Sequence, residues 1–82
     1  MTITELKTLA ERHGWHLKYE RGNVYLFRKD ARQFEVTCGA SGLKAGSKII
    51  SDPTYIVSFF HNGKFNQSRA TMREEILKVV TS

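Results

Sequence analysis

Eighty-two residues, 40% of them apolar and 26% charged, suffice for one domain with a thin core and no separate catalytic unit. The net charge of +5 is concentrated in residues 21–73, where nine Lys and Arg side chains accompany three acids, and such a field attracts polyanions. No apolar run approaches the ~20 residues of a membrane span, and the first residues lack the positive start and apolar stretch of a signal peptide. A lone Cys38 excludes an internal disulfide and a cysteine-based metal cluster. The expectation is a single cytoplasmic domain over 1–82.

Thr2 and Glu5 have capping-box spacing, in which each side chain satisfies a free backbone N–H at a helix start. Ile3, Leu6, Leu9, Ala10 and His13 then share one helical face, and Gly14 supplies a left-handed stop. This predicts a helix over 3–13. The period then drops to two. Trp15, Leu17 and Tyr19 alternate with His16, Lys18 and Glu20, the pattern of a half-buried strand. Arg21-Gly22-Asn23 turns the chain into a strand over 24–29, apolar on both faces and therefore expected to be central. A turn at 30–32 leads to a third strand, with Phe34, Val36 and Cys38 on one face. In that setting Cys38 reads as a buried structural thiol.

Gly39 to Lys48 is a basic, glycine-rich loop, with a short helical turn expected near Ser47–Ser51 and ended by Pro53. Tyr55 to Phe60 reads as a strand. His61-Asn62-Gly63-Lys64 has the Asn-Gly pair of a type I′ hairpin, and Phe65 to Gln67 forms the return strand. Thr71 and Glu74 repeat the capping-box spacing. They predict a helix over 72–80 with Met72, Ile76, Val79 and Val80 inward and Glu74 and Glu75 at its positive end. The sum is an α+β fold: one antiparallel sheet, a meander plus a C-terminal hairpin, with N- and C-terminal helices packed on one face.

The side chains that could carry chemistry are few. Gly42 to Lys48 has the wrong spacing and residue order for a nucleoside-triphosphate loop. His13 and His16 straddle the helix stop and should diverge, and no carboxylate pair completes a metal site with them or with His61. No Ser or Cys sits at a recognisable spacing from a base. The reading is therefore non-enzymatic, with no cofactor and no metal. Strand aromatics beside cations could stack single-stranded bases. Phosphate contact is less demanding and needs only cations on one surface. The candidates are Arg28, Lys29 and Arg32 around one turn, Lys44 and Lys48 in the glycine loop, and Lys64, Arg69 and Arg73 from the hairpin to the last helix.

A run from Glu5-Leu6-Lys7 to Glu11-Arg12-His13-Gly14-Trp15 is followed by a hairpin with Gly22, by Glu35-Val36-Thr37 and by Leu43-Lys44-Ala45-Gly46. In these stretches residues 5–50 resemble the small HicA-type toxins, which have a double-stranded-RNA-binding-like fold. The resemblance implies an RNA- or DNA-binding scaffold. That family carries a catalytic histidine just after the hairpin glycine. Here Gly22 is followed by Asn23, Val24 and Tyr25, so ribonuclease activity is not implied. The hairpin at 54–67 also has no counterpart in that family.

The leading expectation is a nucleic-acid-binding domain, of RNA or DNA, that works through phosphate contacts. The alternative is a small inhibitor or adaptor of the phage or plasmid type that docks on a protein. It would use the strand edge beside Tyr55–Phe60 or apolar residues on the uncovered sheet face.

Overall fold

A computed structural model describes residues 1–39 and 55–82. The expected glycine loop, its helical turn and Pro53 lie outside the described residues. The elements in chain order are α1 (Ile3–Arg12), β1 (His16–Arg21), β2 (Val24–Lys29), β3 (Arg32–Gly39), β4 (Tyr55–His61), β5 (Lys64–Asn66) and α2 (Arg69–Thr81). The five strands form one antiparallel sheet in the order β1-β2-β3-β4-β5. The middle strand is β3, with β2 between it and β1. No described helix is long and apolar enough to cross a membrane.

Local chemistry sets these boundaries. Thr2 Oγ1 accepts from the Glu5 N–H, and Glu5 answers by accepting from the Thr2 N–H, the reciprocal capping expected of this spacing. His13 caps the other end of α1, and Gly14 leaves it at φ +86°. At the β4–β5 turn Asn62 and Gly63 both take positive φ, 52° and 74°, as a type I′ turn requires. At α2 the structure departs from the expected capping box. The helix starts three residues earlier, after Ser68. Asn66 Oδ1 accepts from the Ser68 N–H at 2.9 Å, while its Nδ2 donates to the Thr71 hydroxyl at 3.3 Å. Asn66 thus turns the chain early and engages the hydroxyl that was to cap. No acid then lies in the first turn of α2.

Tyr25, Phe27, Phe34, Val36, Cys38, Ile56 and Phe59 point from the sheet toward the helices. They meet Ile3, Leu6 and Ala10 of α1 and Met72, Ile76 and Val80 of α2. Phe34 is central. Its ring lies 5.0 Å from that of Phe27 in a near-parallel stack, 4.8 Å from Trp15 edge-on and 5.6 Å from Phe59. The Trp15 Nε1–H donates to the Val80 carbonyl at 3.0 Å, so its polar tip is satisfied inside the core and α2 is tied to the sheet.

Two irregularities alter which face a side chain takes. Along β1 the register slips between Leu17, opposite Phe27, and Tyr19, opposite Leu26. Leu17 therefore stays on the helix side, and Tyr19 goes to the other face. Every residue of β1 is exposed, so the expected half-buried strand is an exposed edge strand, with only the preceding Trp15 buried. Between β3 and β4, Val57 is the extra residue of a second bulge, and its Cγ1 would lie 2.6 Å from any Cβ at position 39. That approach requires Gly39.

Phe34→Ala is expected to lower unfolding free energy by about 3–5 kcal/mol, the usual loss for a large buried ring. Phe65→Ala, at a side chain 58% exposed, should change it by no more than about 0.5 kcal/mol. Urea denaturation followed by Trp15 fluorescence measures both.

Candidate nucleic-acid interface

The helices cover one face of the sheet, and no described element covers the other. Alternation along β2 assigns side chains to the two faces: Tyr25 and Phe27 are buried, while Val24, Leu26 and Arg28 point to the open side. Strand register then builds three rows across that side. The middle row runs Tyr19, Leu26, Glu35, Phe60, Phe65, one residue from each strand. At ~4.8 Å per strand this row is ~19 Å long. On one flank lie His16, Arg28 and Gln33, and on the other Arg21, Val24, Thr37 and Ser58.

The middle row is the unusual one. Tyr19 is 43% exposed, Phe60 41% and Phe65 58%. The rings of Phe60 and Phe65 lie 6.1 Å apart and tilted. Between the aromatics sits Glu35, half-buried, its Oε2 accepting from the Tyr19 hydroxyl at 3.4 Å. Among the described residues only Tyr19 donates to this carboxylate. Two hollows adjoin the row. One, about 440 Å³, is lined by His16, Lys18, Arg28 and Asp30. The Arg28 side chain is held there by its Nε–H on the Asp30 carbonyl at 3.1 Å. The other, about 360 Å³, lies where the two hairpin turns meet, and Leu26, Gln33, Glu35, Phe60 and Asn62 are among its walls. A larger hollow of about 690 Å³ opens between β5 and α2, but Asn66, Ser68 and Thr71 in its wall already bond one another.

The eight cations singled out from sequence do not share a surface. Arg28 stands on the open face. Lys29, half-buried, runs beside Gly14 on the helix side. Arg32 lies over the Trp15 ring, 5.3 Å from its centroid, and donates to Ser82 Oγ at 2.8 Å and to the Ser82 carbonyl at 3.2 Å. It neutralises the negative end of α2 and covers the core indole. Lys64 belongs to the hollow beside α2, and Arg69 and Arg73 lie toward the opposite end of that helix, ~20 Å and ~14 Å by helix rise from the Ser82 end that Arg32 holds. Lys44 and Lys48 lie outside the described residues. What sequence reasoning missed on the open face is Arg21, Glu35 and Phe60. The β1 bulge hides Arg21, and Glu35 and Phe60 become neighbours only through the β3–β4 register.

Of the groups weighed for chemistry, His13 caps α1 and His61 stacks on Phe59 at 6.1 Å. No cluster of three or more His, Cys, Asp or Glu able to hold a metal forms among the described residues. Cys38 is 2% exposed, and burial pushes its thiol up to about 11, Lys7 opposing the shift and Glu20 adding to it. A scan of protein-family models and comparisons with curated proteins and with solved structures give no match to this chain.

Two outcomes are expected. Cys38 should react with a thiol reagent at pH 8 many times more slowly in the native protein than in denaturant, because both access and thiolate formation are suppressed; equal rates would show that the strand opens readily. Arg32→Ala should lower stability by roughly 0.5–1 kcal/mol in urea melts, from loss of the indole and helix-end contacts.

Proposed function

We propose that this chain is a non-enzymatic, cytoplasmic nucleic-acid-binding domain that engages single strands on its open sheet face. The observation that carries this reading is the row of exposed rings, Tyr19, Phe60 and Phe65, beside the cations Lys18, Arg21 and Arg28. A sheet bearing two or three exposed aromatics offers platforms on which unpaired bases stack, and cations at the flank take the phosphates. The net charge of +5 favours the encounter, and the resemblance to HicA-type toxins points to the same class of partner. Base stacking rather than phosphate contact alone is the mode favoured here, because Lys29, Arg32, Lys64, Arg69 and Arg73 are divided among separate places on the helix side.

A second reading has support of its own. Leu26, Phe60 and Phe65 could instead receive an apolar surface of a protein, which would make the chain an inhibitor or adaptor. Of the strand edge beside Tyr55–Phe60, β5 covers Phe59 and Phe60, while no described strand pairs with residues 55–58 on that side. The charge of Glu35 in the middle of the row makes an apolar partner the less fitting occupant, since its carboxylate would have to be desolvated or paired.

Fluorescence anisotropy with labelled single- and double-stranded RNA and DNA at two salt concentrations tests the proposal. Single strands should bind more tightly than duplexes and weaken as salt rises, with a logarithmic slope of about −0.7 per phosphate contacted. Phe60→Ala and Tyr19→Ala should each weaken binding roughly 5- to 100-fold, and Lys18→Ala with Arg28→Ala should lower the salt slope. Absence of binding to every strand at low salt would overturn the reading and favour the protein partner. Duplex binding that is insensitive to Phe60→Ala but lost with Arg69→Glu and Arg73→Glu would return the site to the helix side.

A further inference from the structure

We infer that the open face selects guanine, and that Glu35 is the residue that reads it. The inference rests on the single-strand reading above and adds a sequence preference to it. A carboxylate in the centre of a surface that binds a polyanion is repelled by every phosphate brought near it. It fits there only if the group it meets is a hydrogen-bond donor. A nucleic acid offers such donors on base edges and, in RNA, on 2′-hydroxyls. An ionised Glu only accepts, through two oxygens that can take parallel bonds.

The four bases differ at that edge. Adenine and cytosine each place one amino group next to a ring nitrogen that is itself an acceptor and would face a carboxylate oxygen. Uracil and thymine flank their single N–H with carbonyls. Guanine alone presents two adjacent donors, N1–H and the N2 amino group, which match the two oxygens of one carboxylate. The surroundings of Glu35 suit that base. Phe60, its cross-strand neighbour, is exposed as a stacking platform. Gln33 and Asn62 line the same hollow, and their amide N–H groups are of the type to meet guanine O6. The Tyr19 hydroxyl bonds Oε2 and so orients the carboxylate from the far side. The cationic hollow of His16, Lys18 and Arg28 lies one row away, since Arg28 pairs with Gln33. A base over Phe60 can therefore keep its phosphate over the cations.

Oligouridine strands carrying one central G, A, C, U or inosine, as RNA and as DNA, with free GMP as a further ligand, supply the test by anisotropy or competition. The G strand should bind roughly 5- to 100-fold more tightly than the U strand, the range of a good bidentate base contact. Inosine, which lacks the N2 amino group, should lose most of that gain. Glu35→Gln should collapse the preference while tightening the uridine-only strand, because a like charge has been removed from the phosphate path; a thermal melt checks that the variant is folded. Comparison of the RNA and DNA series shows whether the sugar contributes, and competition by GMP shows whether the base is read outside a strand. Equal binding of all five strands, or a G preference that survives Glu35→Gln, would overturn the inference and leave the single-strand reading standing. If no strand binds, the single-strand reading fails, and this one with it.

Discussion

The stack of rings around Phe34 is the contact on which the rest of the molecule depends. Phe27, Phe34 and Phe59 come from three neighbouring strands, and Trp15 joins them from the residue before β1. The indole then reaches out of the stack to the last turn of α2 through the Val80 carbonyl, and Arg32 closes over it from outside. Four large rings on one face give two short amphipathic helices enough apolar surface to bury against. That face takes both helices, and no described element packs on the other. Its middle row sets the rings of Tyr19, Phe60 and Phe65 beside Leu26 and Glu35, with Arg28 and Gln33 on one flank.

The two bulges decide which side chains each face carries. Without the slip after Leu17, Tyr19 would point toward α1 with the other odd residues of its strand, and the open face would lose both a ring and the hydroxyl that steadies Glu35. Without Val57 looped out between β3 and β4, the residues of β4 before it would exchange faces relative to β3, and Ile56 could not join the core beside Cys38. Irregular pairing here decides which residues are displayed, a common use of bulges near functional surfaces.

Much of the architecture is legible in the sequence. The fold class, the two-sided strand at 24–29, the inward set Phe34, Val36 and Cys38, and the Asn-Gly turn all follow from period and turn chemistry, because those signals are local. The start of α2 escapes the sequence because the Thr71–Glu74 spacing imitates a cap, while Asn66 turns the chain earlier by accepting from the Ser68 N–H and donating to the hydroxyl of Thr71 that such a cap needs. Tyr19 was misassigned because strict alternation carries no mark of a bulge. The cations could be recognised as cations, but not placed on a common surface, since Arg28 and Arg32 lie four residues apart and on opposite faces of the sheet. The sequence gives no sign of the surroundings of Glu35, because its neighbours Tyr19 and Phe60 are sixteen and twenty-five residues away in the chain.

The outermost strands have a consequence of their own. A sheet with two free borders is open to lengthening by a strand from another molecule, which is how fibrils and swapped assemblies begin. Here β5 is only three residues long, too short to template much of an added strand. β1 is interrupted by its bulge and carries Lys18, Glu20 and Arg21 along its length, features that deter pairing by an incoming backbone. Growth of the sheet sideways is therefore discouraged along β1 and along β5. What these two strands offer to another molecule is therefore side chains across the sheet more than backbone groups along its borders.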